Sequence, residues 1–233
     1  MTRLLDNLAE VRERIAAAAI RSGRTSDAVT LVAVTKYVEV PLIRELMAAG
    51  CLDLGEARPQ ALWNKAAELA DSTGTIRWHM IGHLQRNKVE RTLPLTSLIH
   101  SADSVRLISE IDAVAQRLNR VADVLLEVNI SQDDTKHGFQ PEQLLTSLDQ
   151  LAGFPNIAIR GLMAMASREG DERQTREEFI RLRELRDQAQ SNLGDQAILK
   201  QLSIGMSGDF EIAIEEGATI VRIGSQLFEG IDT

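Results

Sequence analysis

The chain has 233 residues, 44% hydrophobic and 26% charged, with a formal net charge of −8 and one cysteine, Cys51. That length buries a sizeable core without disulfides, and a lone cysteine beside the strand-like run LDLG reads as a buried structural thiol in a reducing, cytoplasmic setting. The acidic balance argues against a nucleic-acid partner, and no apolar run approaches the ~20 residues of a membrane helix.

The opening MTRLLDNLAEVRERI has no continuous apolar signal region, and Asp6 and Glu10 count against a transit peptide. Leu4, Leu8, Val11, Ile15 and Ala18 instead recur at helical spacing, which predicts an amphipathic helix at the start. Strand-like runs follow: LVAVTK (31–36), CLDLGEA (51–57), RWHMIGHL (77–84) and SLIHSA (97–102). Four more are VLLEVNI (124–130), AIRGLMAM (158–165), QLSIGMS (201–207) and TIVRIGS (219–225). Between them, Val105, Ile108, Ile111, Ala115 and Leu118 predict a helix over 104–119, and Phe179, Leu182, Leu185 and Ala189 another over 174–190.

Apolar strands separated by amphipathic helices give a parallel sheet covered by helices. Eight such units predict an α/β fold, a single (β/α)8 TIM barrel over 1–233 with an extra N-terminal helix, slightly under the typical ~250 residues. A doubly wound open sheet is the alternative. Helix exteriors such as REEFIRLRELRDQ read as solvated, salt-bridged faces, so a monomer is expected.

In a barrel, functional groups gather at the C-terminal ends of the strands. The loops after strands seven and eight offer Gly205, Gly208 and Gly224 with the hydroxyls of Ser203, Ser207 and Ser225. Glycines let backbone N–H groups approach a ligand, and the helical run DFEIAIEEGA would point its positive end at an anion. Each loop alone reads equally as an ordinary turn; the two together favour a phosphate. Arg222 shares a strand face with Gly224, and either pairs with a barrel carboxylate or meets the ligand. Lys36 ends the first strand, where partial desolvation would lower its pKa and make a usable amine nucleophile. Opposite a phosphate site, that amine would form a Schiff base with a phosphorylated aldehyde; otherwise its stem packs on the rim and its head stays wet.

AVTKYV, GEARPQ, WHMIGHLQRNK, GLMAMA and LSIGMSGDFEIAIEEGATIVRIGSQLF, spread from about residue 31 to 228, resemble the YggS/PROSC family of pyridoxal 5′-phosphate (PLP) homeostasis proteins. The resemblance implies a barrel of the alanine-racemase N-terminal type and PLP covalently bound to Lys36. It implies that Ser207, Gly224 and Ser225, with backbone from the 205–208 loop including Met206, hold the phosphate, with Ser203 beside them and Arg222 facing the pyridine nitrogen. It further implies a non-enzymatic cytoplasmic protein that stores, protects or delivers PLP, with PLP-dependent apoenzymes as recipients. One departure stands out: the family's Gly-Glu-Asn reads here Gly55-Glu56-Ala57, so an amide near the cofactor is missing.

Tyr37, the only tyrosine, would point away from Lys36 on an extended strand. His79 reads as a buried, hydrogen-bonded histidine, and His83, on the same strand face nearer the mouth, as a cofactor contact or an acid–base group. His100 and His137 read as strand-end and loop residues. Lys136, in SQDDTKHG, is a solvated loop lysine or a second amine for passing the aldehyde on. Two further activities compete with the carrier: slow turnover of amino acids with PLP, and Schiff-base chemistry on a phosphosugar without it.

Overall fold

The computed structural model describes residues 2–72, 75–131, 137–167, 170–194 and 198–231. Eight parallel strands follow one another around a closed barrel: β1 (Thr30–Val34), β2 (Asp53–Glu56), β3 (Arg77–Met80), β4 (Thr96–Ala102), β5 (Ala122–Glu127), β6 (Ile157–Met163), β7 (Gln201–Ser203) and β8 (Ile220–Ile223). β8 pairs back onto β1, which removes the open-sheet alternative. Several strands stop short of their predicted C-terminal ends. The ladder ends at Val34, Met80, Ser203 and Ile223, but residues beyond it such as Leu84 and Ile204 stay buried. Hydropathy therefore runs on after the strand geometry has ended.

The helices are α1 (Arg3–Arg21), α2 (Val40–Ala48), α3 (Pro59–Glu68), α4 (Val89–Thr92), α5 (Val105–Arg117), α6 (Pro141–Ala152), α7 (Glu172–Leu193) and α8 (Phe210–Glu215). The predicted helices over 104–119 and 174–190 are α5 and α7. The extra N-terminal helix α1 starts at a Thr2 cap whose side chain accepts the Leu5 N–H. It packs against both α8 and α2, filling the place in the ring where a helix after β8 would stand. Asn7 Nδ2 fixes it by donating to the carbonyls of Leu227 and Glu229. No helix of the described residues is long and apolar enough to cross a membrane.

Strand alternation sorts the side chains into two sets. Outward residues such as Ala33, Leu54, Ile99, Val124 and Val221 pack in the main core under the helices. Cys51 joins them, buried, its thiol pushed up to about 11 by desolvation, which makes it inert. Inward residues Val32, Leu125, Met163 and Ile220 form a separate apolar plug inside the barrel. Two residues further along the same strands come Val34, Glu127 and Arg222, so the pleat itself turns a carboxylate and a guanidinium towards the mouth.

Candidate functional site

A pocket of about 930 Å³ opens at the C-terminal end of the barrel, within the ~300–1,000 Å³ range of small-molecule sites. It brings together Lys36, His83 and Arg222 with Met206, Ser207, Gly224 and Ser225 from the last two loops. Ala57 lines it as well. Of the predicted binding residues, Ser203 alone is outside the lining; it lies buried beneath and holds Arg222.

Lys36 departs from expectation in two ways. It sits in the turn after β1 and is exposed, because the strand ends at Val34; burial does not desolvate its amine. The same turn brings Tyr37 to it rather than away, with Nζ 5.1 Å from the ring centroid. What fixes this turn lies on the opposite side of the sheet. Glu56 Oε1 accepts from Thr35 Oγ1 at 2.7 Å and from Lys65 Nζ at 2.6 Å, and Lys65 also donates to the Thr35 carbonyl at 2.5 Å. The residue preceding Lys36 is thereby tied to α3.

The two glycine–serine loops do converge. The Gln226 N–H donates to Ser207 Oγ at 3.5 Å, joining the loop after β7 to the turn after β8. Gly205 has a φ of +93°, and a Cβ there would lie 2.7 Å from that of Ala213, so only glycine makes the turn into α8. Gly224 passes so close to β1 that a Cβ would stand 3.3 Å from that of Val34. The predicted helix dipole contributes less than expected. α8 has six residues, and the Asp209 carboxylate at its start accepts the Met206 N–H at 2.6 Å, setting a negative group where the positive end was expected.

Arg222 is 4% exposed, and neither of the alternatives raised by its spacing describes it alone. Among the described residues its guanidinium bonds to neutral acceptors: Nη1 to the Ser203 carbonyl and Oγ, both at 2.6 Å, and Nη2 to the Ala164 carbonyl at 3.1 Å. Burial pulls its pKa down to about 10 while the charges of Asp209 and Glu127 hold it up, so it remains a cation against the pocket. Below it runs a chain through the barrel interior: Ser203 Oγ to His100 Nδ1 at 2.8 Å, His100 Nε2 to His79 Nδ1 at 2.8 Å, and His79 Nε2 to Asp53 Oδ1 at 3.0 Å. Arg77 closes it with Nε 2.7 Å from Asp53 Oδ1. Burial above all, with the Arg222 cation nearby, pushes His100 well below the usual imidazole value. Burial pushes Asp53 up, but the hydrogen bonds from His79 and Arg77 outweigh it and hold the carboxyl at about 2. Asp53 is thus an acceptor only. Because Asp53 only accepts, one polarity gives every ring nitrogen of the chain a partner, each proton pointing from Arg222 towards Asp53. His79 is buried and bonded as its sequence context suggested; His100, expected at a strand end, is fully buried in this chain.

Glu127 was not singled out by the sequence reading. It ends β5, is 5% exposed, lines the pocket, and its Oε2 has no hydrogen-bond partner. Period-two counting along VLLEVNI from an inward Leu125 would have found it. His83 reaches the mouth as expected, with Nδ1 2.9 Å from Asp103 Oδ2 and its ring stacked on His137 at 4.1 Å. These three offer ligand atoms within 4.8 Å of one another, looser than the about 3.4 Å that ~2.1 Å bonds to a tetrahedral zinc would set. Lys136 lies outside the described residues.

The family model for the N-terminal domain of alanine racemase matches residues 5–231. The pyridoxal phosphate homeostasis protein of Aquifex aeolicus is 41% identical over 223 residues, 96% of each chain. That of Pseudomonas aeruginosa is 38% identical over 239 residues, covering 100% of this chain and 97% of the other. The structure of PipY from Synechococcus elongatus with PLP bound superposes with a TM-score of 0.83 at 36% identity, covering 94% of this chain and 99% of that one. With the barrel, the mouth lysine and the paired glycine–serine loops all in place, the chain belongs to the pyridoxal phosphate homeostasis family, built on the alanine racemase N-terminal domain.

Proposed function

We propose that this chain binds PLP in the mouth pocket, attached covalently through Lys36, and that it stores, protects or delivers the cofactor rather than turning over a substrate. The observation that carries this reading is the convergence of an amine, a buried cation and two joined glycine–serine loops on one pocket of fitting size. The donor set suits an aldehyde bearing a phosphate. Ser207, Gly224 and Ser225, with backbone from Met206 to Gly208, would hold the phosphate; Lys36 would capture the aldehyde; Arg222 would face the pyridine nitrogen; His83 would contact the ring from the rim. Bound there, the group supplies an aldehyde carbon on a pyridine ring able to accept electrons.

The residues around it suit holding better than turnover. The Arg222 cation at the pyridine nitrogen disfavours a protonated ring and so a strong electron sink. Tyr37, the only tyrosine, is 64% exposed at the rim. An open mouth also suits a cofactor that must leave as well as enter. Recipients would be PLP-dependent apoenzymes, approached by a cytoplasmic monomer whose outer helices satisfy their charges internally, as in the contacts of Arg176 and Arg183 with Glu216.

The test is a visible absorption spectrum of the purified protein, repeated after borohydride reduction with peptide mapping and on Lys36→Ala. A yellow protein whose reduced label maps to Lys36 is the expected result. A protein that stays colourless with added PLP would overturn the reading.

A further inference from the structure

We propose that Glu127 is the acid–base group of the mouth pocket: it takes the proton from a primary ammonium, that of Lys36 or of an entering amine, and returns it to the departing oxygen when the amine condenses with an aldehyde. This rests on the reading that Lys36 captures a phosphorylated aldehyde, and it names the residue that makes capture and release fast in neutral solution.

An amine attacks a carbonyl carbon only as its free base. A condensing ammonium must give up a proton, and Lys36, exposed in the turn after β1, shares its pocket with a group able to take one. Glu127 stands at the inward position that ends β5, 5% exposed, lining the same pocket as Lys36, with Oε2 unpartnered. A buried oxygen without a partner costs stability, and at Glu127, unlike Glu56 with Lys65 against it, no cation bonds the carboxylate to offset that cost. Burial raises Glu127 most, Asp103 beyond the end of β4 raises it further, and Arg222 on β8 lowers it, leaving the carboxyl at about 7. Lys36, His83 and His137 complete the ionisable lining around it, with Tyr37 at the rim. Acid and carboxylate forms are then both present at neutral pH, which suits a group that must accept a proton and give it back.

The protons balance. The Glu127 carboxylate takes one from R–NH3+, leaving R–NH2. The nitrogen adds to the carbon of R′–CHO while one of its protons passes to the oxygen, giving R–NH–CH(OH)–R′. The Glu127 acid returns its proton to that hydroxyl, the C–O bond breaks, water leaves, and the nitrogen lone pair closes the C=N bond. The net change is R–NH3+ plus R′–CHO to R–NH+=CH–R′ plus water, with Glu127 restored and no redox partner required. The reverse sequence releases the aldehyde.

The experiment follows the rate at which PLP becomes fixed to Lys36, by borohydride quench and peptide mass spectrometry, across roughly pH 5.5 to 8.5, a range that brackets the Glu127 ionisation. The wild-type rate is expected to rise through an inflection near 7. Glu127→Gln, close in shape and relieved of a buried charge, is expected to label to the same final extent but about 10²-fold more slowly, without that inflection. Glu127→Asp should recover part of the rate. Labelling of Glu127→Gln at the wild-type rate and pH profile would overturn this proposal alone. A wild-type protein that never labels at Lys36 would remove the attachment reading and this one with it.

Discussion

Glu56 and Glu127 end β2 and β5, and both are buried, but one faces the helices and the other faces the pocket. Glu56 has a cation in contact: Lys65 Nζ lies 2.6 Å from Oε1, and Thr35 Oγ1 donates to the same atom. Among the described residues nothing bonds the Glu127 carboxylate, and only the charge of Arg222 favours its ionisation. Each leaves its Oε2 without a partner, so the difference is the counter-charge. Where the fold supplies one, the carboxylate is scaffold, here tying α3 to the residue before Lys36. Where the fold withholds one, the carboxylate is left for what enters the pocket.

The contrast breaks most readily at Lys65. Lys65→Ala leaves the Glu56 charge buried beside a neutral hydroxyl, which should lower stability by ~3–5 kcal/mol in urea unfolding at neutral pH. A loss under about 1 kcal/mol would make the pair equivalent to a surface contact and remove its scaffold role. The same change should loosen the Lys36 turn, because the Thr35 carbonyl loses the Lys65 donor.

Glu127→Gln should act with the opposite sign. The folded carboxyl lies at about 7 against an ordinary value of 4.5, so the folded state holds more protons than the unfolded one between those values. Wild-type stability therefore falls as pH rises across that window, and a glutamine escapes the penalty. The gain should be on the order of 3 kcal/mol at about pH 8 and should vanish near about pH 4. Equal stability of the two proteins at the higher pH would mean that the carboxylate is not penalised by burial, and Glu127 would lose its distinction from Glu56.

Much of this was legible in the sequence, and what was missed has a common cause. Alternating apolar runs and amphipathic helices announce the barrel because burial on both sheet faces leaves a hydropathy record. Lys36, Arg222 and the glycine–serine loops stand out because charge and glycine are unusual beside buried strands. Glu127 sits within VLLEVNI and His100 within SLIHSA, where a single polar residue says nothing about face until one inward neighbour fixes the register. The exposure of Lys36 was hidden for another reason: Thr35 continues the β-prone run, while the chain turns because Thr35 is captured by Glu56 and Lys65, partners from β2 and α3.

The interior chain offers the finest test of the comparison, since it carries hydrogen-bond polarity from a paired carboxylate towards the pocket. Asp53 is ionised and bound by Arg77, so His79 Nε2 must donate to it; in the polarity that partners every ring nitrogen, His79 Nδ1 accepts from His100 Nε2–H, and His100 Nδ1 accepts from the Ser203 hydroxyl. Asp53→Asn keeps the shape; turned so that its amide N–H meets His79, its oxygen still accepts from Arg77 Nη2 at the Oδ2 place, and the Arg77 Nε bond to Oδ1 is given up. Both rings should then change tautomer, for about 2 kcal/mol of stability, the worth of one charge-assisted hydrogen bond. Nitrogen-15 NMR of the imidazoles should show His100 bare at Nδ1 in the wild type and protonated there in the variant. In that state Ser203 Oγ accepts from His100 and from Arg222 together, and its own proton must turn to another acceptor. An unchanged His100 tautomer in Asp53→Asn would mean that the chain is broken at His79, and that the charge at the far end of the barrel does not reach the pocket floor.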